Sequence, residues 1–164
     1  MSQPAFVKNE QGLYHVVGQV SSQEIIDTAA ALLWTDIAEQ EALTSSTKVA
    51  KYLQMVIGDK KSEQFCVLYM NNQNQAIAFE KVFQGTINSA PVFPRIVAQK
   101  ALEHNAAAVI LAHNHPSGKA EPSHADKEIT KQLKQALALL DIEVLDHLII
   151  TSNDWVSLAS LGEI

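Results

Sequence analysis

The stretch AAAVILAHNHPSGKAEPSHAD, residues 106–126, decides how this chain is read. It opens on an uninterrupted apolar run, 106–112, too short to span a bilayer and of the right length for a buried strand. The run breaks off at His113-Asn114-His115. Pro116-Ser117-Gly118 then turns the chain, and Pro122-Ser123 introduces a segment with helical spacing. A strand, a tight loop and a helix, in that order, are the building unit of a layered α/β domain.

The flanking sequence repeats this alternation. Segment 21–43 has helical spacing at Ile25, Ile26, Ala29, Leu32, Leu33 and Ile37, with Ser22 expected as N-cap. A second helix is expected to carry Val49, Leu53, Val56 and Ile57 and to stop at Gly58. Residues 63–70 and 76–85 read as a hairpin around the polar turn 71–75. Loop 86–94 leads into a helix over 95–105. After the histidine loop come a helix over 124–140, a strand over 142–151 and a further short strand near 155–160. Residues 1–20 read as loop with a strand at most. The division drawn from this pattern is a mainly helical N-terminal extension, 1–43, followed by one α/β domain, 44–164.

In extended backbone, residues i and i+2 point to the same side. His113 and His115 therefore present their imidazoles in one direction, with Cα atoms roughly 6–7 Å apart. Ser123 and Asp126 have the spacing of a helix capping box. Two readings stand side by side. In one, the histidines are ordinary hydrogen-bonded residues and Ser123 and Asp126 only start a helix. In the other, two imidazoles and a carboxylate meet at the carboxyl end of a central strand, where α/β sheets bind ligands. That donor set suits zinc, with one coordination position left open.

Composition narrows the function classes. Hydrophobic residues make up 47% of the 164, enough for a sizeable core. Twelve basic against eighteen acidic residues leave a net charge of −6, which argues against strong general binding to duplex DNA. Lys48, Lys51, Lys60 and Lys61 read as a solvated helix face and the turn after it. The single cysteine, Cys66, excludes an intramolecular disulfide and a multi-cysteine zinc site, and reads as a core residue. The N-terminal segment lacks a basic-then-apolar leader, so a cytoplasmic location and no membrane association are expected.

His113-x-His115, with Ser123 eight residues on and Asp126 three further, resembles the JAMM (MPN-positive) metalloprotease motif. With NNQNQ (71–75), GTINSAPVFPR (85–95) and IEVLDHLII (142–150), the run resembles more specifically the RadC-like JAB domain family, over about residues 44–160. The resemblance implies a three-layer, cytidine-deaminase-like α/β/α fold with a mixed sheet. It also implies a zinc ion held by His113, His115 and Asp126. The chain departs from the family at Phe93-Pro94-Arg95-Ile96, where members commonly carry His-Pro-Arg-Glu. Long members carry an N-terminal helix–hairpin–helix DNA-binding module, which residues 1–43 lack, so the chain reads as a short form.

A hydrolytic zinc site needs a general base. The motif supplies a glutamate upstream, just ahead of a strand. Glu63 fits that placement, and Glu80 in the second hairpin strand is its rival; Glu103 and Glu121 fit less well. The expected activity is cleavage of a peptide or isopeptide bond in a protein or peptide substrate, with Glu63 as base and Ser123 supporting the oxyanion. The alternatives are a non-peptidase accessory module in DNA processing or repair, or a zinc-dependent nuclease. A cytidine deaminase is excluded, because the chain has no His-x-Glu and no Pro-Cys-x-x-Cys. His147 is expected behind the ligands, while His124, His104 and His15 read as structural or exposed.

Overall fold

The computed structural model describes residues 5–39, 45–85 and 91–164. Its centre is a five-stranded mixed sheet in the order β4-β3-β5-β6-β7. Strands β3 (Gln64–Met70) and β4 (Ala76–Gln84) form the expected hairpin, closed by Asn74 at φ 58°. Strand β5 (Ala108–Asn114) runs antiparallel to β3 and parallel to β6 (Glu143–Ile150), and β7 (Trp155–Ser157) closes the far edge.

Side-chain alternation sorts the sheet into two cores. On one face, Cys66, Leu68, Ile110, Ala112 and Leu148 pack against α2 (Ser46–Ile57) and the end of α1 (Ser22–Ala38), through Leu53, Ile57 and Ile37. On the other, Phe65, Val67, Val109 and Leu111 pack against α3 (Pro94–Glu103) and α4 (His124–Ala138), through Val97, Leu133 and Leu137. This is the three-layer α/β/α arrangement. All seven β5 residues are buried, as a central strand covered on both faces requires. Burial pushes the Cys66 thiol up to about 12, in keeping with an inert core residue.

Several local expectations are corrected. Segment 1–20 contains a short antiparallel hairpin, β1 (Phe6–Lys8) and β2 (Tyr14–Val16), whose second strand is exposed throughout. Helix α1 is capped by Ser21, not Ser22. The Ser21 hydroxyl accepts from Glu24 N, and the Glu24 carboxylate accepts from Ser21 N. The division near residue 43, and loop residues 86–90, lie outside the described residues. Gly58 does follow α2, but at φ −62°, a right-handed conformation open to any residue. Glycine is required there for space: a Cβ would come within 2.5 Å of Gln54 O and 3.1 Å of Thr151 O.

One irregularity in β6 matters for the site. The register with β5 passes from Val109↔Val144 directly to Ile110↔Asp146, so β6 carries one extra residue. A bulge reverses which face the following side chains take. It sets His147 opposite Leu111, on the face that carries His113.

Candidate metal centre

His113 is the penultimate residue of β5, His115 lies just beyond the strand, and Asp126 sits in the first turn of α4. Their donor atoms converge. His113 Nε2 is 2.9 Å from His115 Nε2 and 3.1 Å from Asp126 Oδ1, and His115 Nε2 is 3.3 Å from Asp126 Oδ2. Donors at about 2.0–2.1 Å from a tetrahedral ion stand about 3.3 Å apart, so each imidazole nitrogen stands near that separation from the other and from one Asp126 oxygen.

The proton positions follow from the groups behind the rings. His115 Nδ1 is 2.9 Å from the Lys119 carbonyl, which only accepts, so Nδ1 carries the hydrogen. Behind His113 the chain is longer. Thr130 Oγ1 donates to the Asp126 carbonyl at 2.5 Å and so accepts from His147 Nδ1 at 2.6 Å. His147 is buried, and that burial holds its pKa well below the usual histidine value, keeping it neutral. Its Nε2 is then an acceptor, and His113 Nδ1 donates to it at 2.8 Å.

Both histidines are thereby set to turn an Nε2 lone pair toward the same point. Two lone pairs 2.9 Å apart beside a carboxylate repel one another unless a cation lies between them. The three residues can therefore hold a metal ion, by the chemistry of the donor set as well as its spacing. Without an ion, a proton partly answers the same demand. The hydrogen bond to Asp126 raises the His115 pKa from its ordinary value. Burial opposes charge on Asp126, but the His113 and His115 rings beside it outweigh that and hold the carboxyl far below the usual range.

Ser123 is the N-cap of α4. Its hydroxyl accepts from Asp126 N at 3.1 Å, and its own N–H donates to Asp126 Oδ2 at 2.7 Å. The capping box and the donor set are one structure, because the carboxylate that closes the box is the third donor. The Ser123 O–H proton remains free to donate.

Glu63 immediately precedes β3. Its Oε1 is 3.9 Å from His113 Nε2, within reach of one bridging water, and it stands outside the cluster of three donors. Glu80 is elsewhere: it bonds Lys100 Nζ at 2.6 Å and His104 Nε2 at 2.5 Å, at the far end of α3. His124 and His15 are exposed. Thr130 and Asn114 were not singled out from sequence. Thr130 carries no local signal, whereas Asn114 had one: a residue between two histidines of one face must point to the other.

A mixed α/β domain with a His-His-Asp cluster at the end of its central strand defines a JAB-type domain. The RadC-like JAB domain model matches residues 43–163. The chain is 46% identical over 142 residues to a UPF0758 protein of Thiobacillus denitrificans, covering 87% of this chain and 63% of that relative. It is 48% identical over 147 residues to one of Cellvibrio japonicus, covering 90% and 66%. It is 45% identical over 143 residues to one of Vibrio atlanticus, covering 87% and 64%. The chain belongs to the RadC-like JAB domain family. It spans just under two thirds of the length of these curated relatives. Among the described residues, no helix is long and apolar enough to cross a membrane.

Proposed function

We propose that this domain is a zinc-dependent hydrolase of JAMM type that cleaves a peptide or isopeptide amide bond. The observation that carries the reading is the pair of Nε2 lone pairs and the Asp126 carboxylate meeting at one point, with Glu63 Oε1 3.9 Å from His113 Nε2. When bound, zinc supplies Lewis acidity, bringing the pKa of a water ligand toward neutrality and polarising a carbonyl. Glu63 takes a proton from the attacking water as its oxygen forms the new bond to the carbonyl carbon. The Ser123 hydroxyl donates to the developing oxyanion. As the C–N bond breaks, Glu63 returns the proton to the leaving amine. The substrate on this reading is a protein or peptide, the compartment is the cytoplasm, and strong general duplex-DNA binding is not part of the function.

A second reading, an accessory module in DNA processing that keeps the fold and the metal without turnover, is favoured by one observation. Phe93 is 51% exposed at the start of α3, beside a shallow depression of about 430 Å³ that it lines with Arg95 and Ile96. The surface is apolar where the family carries a histidine and a glutamate.

Metal analysis followed by a peptide-library digest separates the two. Protein purified without chelator is expected to hold one zinc per chain, and His113→Ala and Asp126→Ala to lose most of it while staying folded. Glu63→Gln is expected to keep its zinc and to lose roughly two to four decades of hydrolytic rate, the range for a positioned base. A metal-replete wild type that cuts no member of the library supports the accessory reading. Protein that takes up no zinc overturns both.

A further inference from the structure

Asn114 stands between the two ligand histidines in sequence and faces away from them, into the layer of α2. It is fully buried, at 0% exposure. A buried carboxamide needs partners for two N–H donors and one carbonyl oxygen. All are met, and all lie in the segment that leads into β3. Asn114 Nδ2 donates to Lys60 O and to Ser62 O, each at 3.2 Å. Asn114 Oδ1 accepts from Gln64 N at 2.7 Å. The orientation of the amide is fixed by its surroundings, since its donors face carbonyls and its acceptor faces an N–H.

The residue enclosed by these bonds is Glu63. The carbonyl before it and the amide after it are both tied to Asn114, and its own carbonyl accepts from Gly85 N at 2.8 Å. The β3–β5 ladder ends at Phe65↔His113, so pairing with β5 does not reach Glu63. The Asn114 side chain takes over where the ladder stops. It spans 50 to 54 positions of sequence to do so. No other side chain fits all three bonds: aspartate lacks the two donors, serine is too short, and glutamine is longer by a methylene.

We propose that Asn114 is the positioning residue for Glu63: a buried latch on one face of β5 that sets the carboxylate's place against the metal donors on the other face. The inference rests on the reading of Glu63 as the base. It explains why the residue between the histidines is a carboxamide. The same strand that presents His113 measures out, through the next side chain, where the glutamate stands.

The test uses the intact chain loaded with Co²⁺, whose visible band reports the metal's surroundings. Wild type, Asn114→Ala, Asn114→Ser, Glu63→Gln and Asn114→Ala/Glu63→Gln are compared. Three quantities are read: cobalt affinity, the pH midpoint of the visible band, and amide exchange at Gln64. Asn114→Ser keeps a polar group in the buried site and so guards against simple unfolding of the alanine variant.

Both Asn114 variants are expected to keep cobalt affinity and to lose at least ~10-fold protection at the Gln64 amide. Their midpoints are expected to move in the direction of the Glu63→Gln shift, by roughly half of it or more. The double variant is expected to match Glu63→Gln alone, because a latch has nothing to position once the carboxylate is gone. A residue that only stabilises the fold would leave the midpoint where it is. An unmoved midpoint in both Asn114 variants beside a shifted one in Glu63→Gln overturns the latch alone, and so does a double variant that shifts further than Glu63→Gln. An unmoved midpoint in Glu63→Gln overturns the assignment of the base, and the latch with it.

Discussion

His113 Nδ1 lies 2.8 Å from His147 Nε2, although the two residues are 34 positions apart and on different strands. The contact fixes both the ring orientation and the tautomer of a metal donor. His147→Leu keeps a buried side chain of similar bulk and removes the acceptor. Zinc affinity is expected to fall about 10–100-fold, the usual effect of losing a partner of a metal-bound histidine. Thr130→Val acts one step further back and should lower affinity less, in the same direction. Competition against a chelating dye measures both, and unchanged affinity in His147→Leu would show that His113 orients itself.

Ser123 is asked to do two separable things. Ser123→Ala removes the cap of α4 and is expected to cost about 1 kcal/mol of stability. Ser123→Gly, a tolerated cap, should cost only a few tenths of that order. Both lack the hydroxyl, so both should lose ~10²–10³-fold in hydrolytic rate if it supports the oxyanion. Denaturant unfolding and turnover on one responsive substrate give the two numbers. A Ser123→Gly protein with wild-type turnover reduces Ser123 to its cap.

Glu80 belongs to stability. Its ion pair with Lys100 and its hydrogen bond with His104 are only partly buried, so Glu80→Gln is expected to cost about 0.5–1 kcal/mol at pH 7 and to leave turnover intact. Hydrogen bonds from Lys100 and then His104 hold the Glu80 carboxyl below its ordinary 4.5. A lowered folded-state pKa means the unfolded chain binds the proton first as pH falls. The contribution is present above 4.5 and is lost as pH drops through the folded value. The stability gap between wild type and Glu80→Gln should therefore close under acid, as paired urea titrations at neutral and low pH would show.

Duplex DNA should bind weakly. The net charge is −6, Lys48 is paired with Asp36 at 2.8 Å, and Lys60 lies 3.5 Å from Asp59. Fluorescence anisotropy at physiological salt is expected to give a dissociation constant no tighter than ~1 µM, the range of non-specific contacts. A submicromolar value with a steep salt slope would reverse this view.

The donor set was legible because two local periodicities converge on it. Strand alternation put His113 and His115 on one side, and the capping spacing put Asp126 at a helix start. Glu63 was singled out by the motif's upstream glutamate and its place ahead of a strand. The β3–β5 ladder ends at Phe65↔His113, and Glu63, two residues ahead of Phe65, has its Oε1 3.9 Å from His113 Nε2. What stayed hidden depends on contacts far apart in sequence. Asn114 and Thr130 are ordinary polar residues until the fold supplies their partners; His147 is expected behind the ligands, but the bulge that turns it to the site face has no local signal. The N-terminal hairpin was missed because its second strand buries no residue, so it leaves no alternation of buried and exposed positions.

The donors also run on different clocks. His113 belongs to a strand buried along its whole length, and Asp126 to the first turn of a helix that seats Leu133 and Leu137 in the core. Such segments open at close to the cost of global unfolding. His115 lies outside the strand, with residues 116–119 exposed after it; its backbone N–H is held to Ile150 O at 2.9 Å and its ring Nδ1 to Lys119 O. A bound ion would exchange with solvent when the exposed residues 116–119 let go of the His115 ring, long before the domain unfolds. Metal loading and metal theft are then questions of a few loop residues, and the lifetime of the holoprotein is set apart from the lifetime of the fold.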